Sequence, residues 1–290
     1  MPRIFALLVG INKYTAVSPL NGCVNDISAV EALLKGRVDS DTLFVHALHD
    51  EAATRAAIIG GFRSHLGQAT AGDIALFYFC GHGMMVSDHY LLAEDFGRST
   101  AAPWAEAFDI SNTVRAVERE VPGAVYYFID ACREIKRDVA MTLGANPNAL
   151  LFVDLTKKVI RKSVTAIFAT GEGELAFAPK GGHVSRFTSA LLCAMSGFSG
   201  IKAPGAATWN VDGESVATAV RQLLEYDAME AEAKPGTWKQ VSEQLVQGSS
   251  IPLLRLTVAP KVKVWLDLTP LQRRALYELY LQGAKGGRVA

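Results

Sequence analysis

The sequence predicts an α/β protein: a mostly parallel sheet with helices on both faces. Apolar runs of strand length alternate with helix-length amphipathic segments along most of the chain, the order that βαβ units produce. The strand-like runs are apolar at consecutive positions rather than at every second one, the pattern of strands covered on both faces. Half of the 290 residues are hydrophobic and mean hydropathy is +0.18, enough to bury a substantial core.

The elements follow in order. "RIFALLVG" (3–10) is a continuous apolar run ending on glycine and reads as a buried strand. "NDISAVEALLKG" (25–36) reads as a helix, with Ser28 and Glu31 as an S-x-x-E cap and Gly36 as its stop. "DTLFVHAL" (41–48) is a second strand, "EAATRAAIIGGFRSHL" (51–66) a helix interrupted by two glycines, and "DIALFYFC" (73–80) a third strand. Residues 84–96 read as a hairpin or loop excursion, 110–120 as a helix and "AVYYFID" (124–130) as a strand.

Residues 133–162 break the pattern. They carry seven lysines and arginines and the turn-prone "GANPNA", and read largely as an exposed loop with room for a short helix. Strand and helix signals resume at 163–170, 186–197, 213–227 and 251–258. A main domain is expected to end near 260. Beyond it, "PLQRRALYELYLQ" (270–282) opens on proline and is followed by glycine, which predicts an amphipathic helical appendage before a Gly-rich tail.

Lys plus Arg and Asp plus Glu both number 29, so no whole-chain field draws the protein to nucleic acid or to an anionic membrane. No apolar run reaches the length of a membrane span, and the N-terminal run lacks a leader-type cleavage site. Four irregularly spaced cysteines make neither a disulfide framework nor a zinc motif. A cytoplasmic, reducing setting is therefore expected, with each thiol free for chemistry.

Two strands end on reactive side chains: "YFCGHG" (78–83) on His82 and "YFIDAC" (127–132) on Cys132. In an open parallel sheet, functional groups collect just beyond the carboxyl ends of the strands. The two residues are 50 apart, room for one crossover, so neighbouring strands would open them onto one crevice. A cysteine is a nucleophile only as thiolate, and a nearby imidazole can take its proton and later protonate a leaving amine. Gly81 and Gly83 remove side-chain bulk beside His82, which would let a substrate backbone approach. The amides of Gly83 and Cys132 are then candidate oxyanion donors, each worth about 3 kcal/mol of transition-state stabilisation.

At these residues the chain resembles the caspase and metacaspase family of cysteine peptidases. The run Asp130-Ala131-Cys132-Arg133-Glu134, with His82 in "GHG" upstream, is similar to the family's nucleophile and histidine motifs. "LLVGINKY" with "LNGCVNDISAVEALL", then "YLLAEDF", "TAIFATGEGELAF" and "FTSALLCAMSG", resemble further family segments, so the likeness covers roughly 3–258. It implies a caspase-like fold on a six-stranded, mostly parallel sheet. It implies cleavage of peptide bonds through a thioester, with Cys132 as nucleophile and His82 as general acid–base. The domain would divide into a large-subunit-like part (1–135), a basic linker (136–162) and a small-subunit-like part (163–260), with 261–290 as appendage.

Asp130 stands two residues before the nucleophile, where animal caspases carry glutamine and metacaspases aspartate. The resemblance implies an acidic specificity pocket formed by Asp130 and Asp26, with Cys23 and Cys80 beside them, receiving a substrate arginine or lysine. The plainer alternatives are that Asp26 caps the first helix and that Asp130 accepts strand-end hydrogen bonds. No cofactor is expected. Calcium, which activates many metacaspases, would have only Glu94 and Asp95 as candidate ligands, too few for a site of six to eight oxygens.

One departure from the family pattern is the absence of a glycine after Cys132, where Arg133-Glu134 follows; Glu134 would strain a turn that needed positive φ. Lys136, Arg137, Lys157, Lys158 and Arg161 are candidate self-cleavage positions. The expected partner is a protein or peptide substrate with a basic residue before the cut bond. The 270–282 helix is a candidate docking element for an activating protein. A catalytically weak binding scaffold, or a thiol acyltransferase or redox enzyme, are the competing readings. Bacterial relatives act in stress or antiviral cell-death programmes, and the resemblance extends that role here by analogy.

Overall fold

The structure is a computed structural model. It describes residues 2–85, 88–98, 106–114, 123–132, 163–170, 183–232, 240, 242–248 and 251–258, with isolated positions at 269, 271, 272, 275 and 278. The main sheet has six strands: β1 (Ile4–Gly10), β2 (Leu43–His49), β3 (Ile74–Gly81), β7 (Ala124–Ala131), β8 (Val164–Phe168) and β10 (Glu243–Gln247). Their spatial order is β10-β8-β7-β3-β1-β2. Every pairing is parallel except that of β10 with β8. The predicted α/β class and six-stranded, mostly parallel sheet are what the chain forms.

Consecutive apolar residues in β1, β3 and β7 divide by parity between two cores. Ile4, Ala6, Leu8, Leu76, Tyr78, Tyr126 and Phe128 face one side. Phe5, Leu7, Val9, Phe77, Phe79, Tyr127 and Ile129 face the other. Each face is covered. α1 (Cys23–Arg37), α3 (Arg186–Cys193) and α4 (Gly213–Glu232) seal the first core through Ile27, Leu34, Phe187, Val220 and Leu223. α2 (Arg55–Ser64) seals the second through Ile58 and Phe62. Burying each such side chain contributes about 1.5–3 kcal/mol.

β4 (Gly83–Met85) and β5 (His89–Leu92) form the hairpin expected over 84–96, and β6 (Ala107–Asp109), beyond that span, adds a third antiparallel strand to this small sheet. A second, of β9 (Trp209–Val211) and β11 (Leu254–Leu256), takes the run expected at 251–258. That run therefore lies outside the main sheet, whose sixth strand is the polar edge segment β10. Among the described residues no helix is long and apolar enough to cross a membrane.

The first helix departs from its predicted start. α1 opens at Cys23, five residues before Ser28, because Gly22 turns the chain at φ 119° and the Asn12 side chain accepts the Cys23 amide at 2.9 Å. Ser28 is thus inside the helix, where its hydroxyl donates back to the Val24 carbonyl at 2.8 Å. Glu31 pairs with Lys35 rather than reaching back toward a cap. Gly36 stays helical and the helix ends at Arg37. Helical backbone is present at 110–114. The basic segment 133–162, Arg133 and Glu134 included, lies outside the described residues. Of the appendage, Leu271 and Gln272 are helical and exposed.

Candidate active site

β3 and β7 are adjacent and parallel, with Gly81 opposite Ala131 at their carboxyl ends. The next residues are His82 and Cys132, so the two leave neighbouring strands side by side, about 4.8 Å apart at the backbone. Cys132 is partly exposed.

Three hydrogen bonds from described residues hold His82. Its amide donates to the Tyr14 hydroxyl at 2.7 Å, and its carbonyl accepts from Leu92 of β5 at 3.0 Å. Its ring Nε2 lies 2.8 Å from the Ser18 carbonyl. A carbonyl only accepts, so Nε2 carries the proton and Nδ1 is the basic nitrogen of this tautomer. Tyr14 also packs its ring against the imidazole, 4.8 Å between centroids. The loop carrying Tyr14 and Ser18 is braced by Asp50, whose carboxylate accepts from the amides of Asn12 (2.7 Å) and Lys13 (3.0 Å). Asp50 holds this position with a left-handed backbone, φ 41°.

The glycines around His82 are required by the chain's own packing. A Cβ on Gly81 would collide with the Tyr14 hydroxyl, and one on Gly83 would sit 2.7 Å from the Cys132 carbonyl oxygen and 2.8 Å from the Ala131 Cβ. The expectation that they make room for a substrate backbone thus has a nearer cause. Because Leu92 donates to the His82 carbonyl, Gly83 and Leu91 form a non-hydrogen-bonded pair, and the Gly83 N–H is left out of that ladder.

Below this point, on the face covered by α1 and α3, lie two carboxylates. Asp26 comes from the first turn of α1 and Asp130 from β7; they are 1% and 5% exposed. Their oxygens and the Cys80 sulfur lie within 4.8 Å of one another. Asp26 is not a cap for its own helix. It accepts from the Ser185 amide at 2.8 Å and from the Cys80 thiol at 3.2 Å. Asp130 accepts from the Ser185 and Thr188 hydroxyls, the latter at 3.2 Å. Both donors meet Oδ2. Among the described residues no lysine or arginine pairs with either carboxylate. Burial, and for Asp26 the neighbouring Asp130 charge as well, push both groups above the usual carboxylate range; Ser185, Thr188 and Cys80 oppose the rise by donating to them. Burial likewise pushes the Cys80 thiol up. Cys23, the first residue of α1, is buried beside this cluster.

The three clustered side chains could also hold a metal ion, with a thiol that suits zinc better than calcium. Glu94 and Asp95 point to separate partners. Glu94 accepts from Thr15 at 2.9 Å and pairs with Arg98 at 2.7 Å, whereas Asp95 accepts the Arg55 amide at the start of α2.

Tyr14, Ser18, Ser185 and Thr188 were not among the residues that sequence pattern singles out. Ser185 carries a cap signal before the apolar run of α3, but nothing local connects it to Asp26, 159 residues earlier.

A family model described as the caspase domain matches residues 3–255. An uncharacterized protein of Sinorhizobium fredii, y4kE, is 32% identical over 209 residues, covering 71% of this chain and 59% of the relative. Metacaspase-1 of Plasmodium falciparum is 35% identical over 98 residues, 31% of this chain and 16% of the relative. The chain thus matches less than two thirds of the length of either. Among solved structures, protein GSU0716 of Geobacter sulfurreducens superposes with a TM-score of 0.55 at 17% identity, covering 86% of this chain and 94% of its own. Caspase-1 of Spodoptera frugiperda does so with a TM-score of 0.55 at 13% identity, covering 90% and 92%. At such identities these two matches speak for the fold.

Proposed function

Because the chain belongs to the caspase domain family of cysteine peptidases, we propose that it is an endopeptidase that cuts after arginine or lysine, with Cys132 as nucleophile and His82 as general acid–base. The Cys132 proton passes to His82 Nδ1, and the thiolate sulfur bonds to the substrate carbonyl carbon. The oxyanion that forms takes hydrogen bonds from the Gly83 and Cys132 amides. His82 then returns the proton to the leaving nitrogen as the carbon–nitrogen bond breaks, leaving a thioester. Water, deprotonated by His82, hydrolyses the thioester and restores the thiol.

The Ser18 carbonyl supports this assignment by fixing the imidazole tautomer, and the neighbouring register of Gly81 and Ala131 supports the pairing. One observation carries the specificity: Asp26 and Asp130 are buried together with no cationic partner among the described residues. A pair of desolvated carboxylates is costly alone and favours a cation strongly over an anion. Self-processing in the basic segment 133–162 follows from that preference, since the segment offers Lys136, Arg137, Lys157, Lys158 and Arg161 as candidate cleavage positions. A role in a bacterial stress or antiviral programme rests on the family resemblance alone.

Fluorogenic peptides ending in arginine, lysine or aspartate test the reading. Turnover of the arginine and lysine peptides, lost in Cys132→Ala, is expected. Equal or faster turnover of the aspartate peptide would overturn the specificity. No turnover, with no labelling of Cys132 by a thiol-directed peptide inhibitor, would point to a binding scaffold.

A further inference from the structure

Ser185 makes three hydrogen bonds at one point in the fold through two polar groups. Its amide donates to Asp26 Oδ1 at 2.8 Å, and its hydroxyl donates to Asp130 Oδ2. The same hydroxyl accepts the Thr188 amide at 3.0 Å, capping α3. Thr188 adds a second donor to Asp130 Oδ2 at 3.2 Å, and its own hydroxyl lies 2.5 Å from that of the fully buried Tyr78. The N-terminus of α3 therefore grips one oxygen of each carboxylate. Asp130 Oδ1 is left without a donor among the described residues. A guanidinium or ammonium group is recognised by carboxylates held in a fixed plane, and small misplacements of such groups are expensive.

We propose that Ser185 is the positioning residue of the cation pocket, setting the orientation of both Asp26 and Asp130 toward an incoming arginine or lysine side chain. The inference rests on the pocket reading above and deepens it. Ser185 itself needs no contact with the ligand. Among the described residues, the groups that face the two carboxylates are Cys80 and Tyr78 of β3, Cys23 of α1, and Ser185 and Thr188 at the start of α3. None of these is cationic, so among the described residues the donors at the start of α3 are the main ones that hold the two carboxylates. Removing the hydroxyl takes a donor from the charged form of Asp130, and so favours its protonated form.

The hydroxyl also caps a helix, so the test must separate the two roles. Glycine caps nearly as well as serine but has no hydroxyl, whereas threonine keeps both functions. The probe is Nα-acetyl-arginine amide, with binding measured by calorimetry on the full chain carrying Cys132→Ala, which makes the result independent of catalysis. Ser185→Gly is expected to weaken binding about tenfold at pH 8 and to shift the acid loss of binding to higher pH. Ser185→Thr should restore both, and Thr188→Val should weaken binding by a smaller factor with α3 intact by circular dichroism.

Unchanged affinity and pH profile in Ser185→Gly, or failure of Ser185→Thr to restore them, would overturn the assignment. So would absence of probe binding to the Cys132→Ala protein itself. Failure of the protease reading is recognised separately, as probe binding without peptide cleavage by the wild-type chain. In an active enzyme, Ser185→Gly should raise KM for an arginine peptide much more than it lowers kcat.

Discussion

The side chains of Asp26 and Asp130, 104 positions apart in the chain, meet in one buried cluster on the face of the sheet covered by α1 and α3. One comes from the start of a helix and the other from the end of a strand. Neither meets a basic side chain among the described residues, so the cluster stores unfavourable charge that a ligand cation would relieve.

That charge should be visible in stability against pH. Burial raises Asp26 to about 7 and Asp130 to about 6, both above the unfolded value of 3.8. The folded chain therefore holds protons that the unfolded chain releases across this interval, and stability falls as pH rises from about 4 to about 7. Thermal unfolding should show a decline over that range that is smaller in Asp26→Asn, which keeps an acceptor for the Ser185 amide. At pH 8 the variant should be the more stable protein. A variant with the same pH slope as wild type would contradict the buried-pair electrostatics.

Substrate affinity should move oppositely with acid. A protonated pocket is a poor host for a cation, so KM for an arginine peptide is expected to climb as pH drops from 8 to 5.5. Asp130→Asn should raise that KM about a hundredfold at pH 8 and flatten its pH dependence. Steady-state kinetics at several pH values check both.

Gly83 leaves no space for a methyl group between itself and Cys132. Gly83→Ala should displace Cys132 at the end of β7, lowering kcat by about two orders of magnitude and stability by about 1–3 kcal/mol. Urea titration with parallel activity assays separates the two effects. Full activity in a normally folded variant would show that the close approach is dispensable.

Tyr14 predicts a milder loss. Tyr14→Phe keeps the ring against His82 but removes the hydroxyl that accepts the His82 amide at 2.7 Å. We expect about 1 kcal/mol of destabilisation and a roughly tenfold fall in kcat with KM little changed. An unaltered kcat would mean that the Ser18 contact alone fixes the imidazole.

The parts of the molecule written as repeating patterns were readable in advance. β1, β3 and β7 announce themselves because their residues must serve two cores at once, and that same pattern marks where His82 and Cys132 must follow. The capping pattern at Ser28 misleads because S-x-x-E looks alike at the start of a helix and within one. The true start depends on Gly22 and on an Asn12 side chain from another loop. β10 escaped notice because an edge strand of the sequence "EQLVQ" needs little apolar surface. Asp26 and Asp130 were paired through family resemblance rather than through pattern. Ser185, Thr188, Tyr14 and Ser18 carry no periodic signal, since their partners lie 55 or more residues away and only tertiary folding brings them close.

β7 and β8 lie on either side of the basic segment and pair in parallel from Val125 with Val164 to Ile129 with Phe168. β8 is also stitched to β10, and α3 closes over the same core as α1. A severed peptide bond between 133 and 162 would accordingly yield two polypeptides and still one particle. Denaturing electrophoresis would resolve the fragments, while gel filtration would return them together at the size of the uncut molecule.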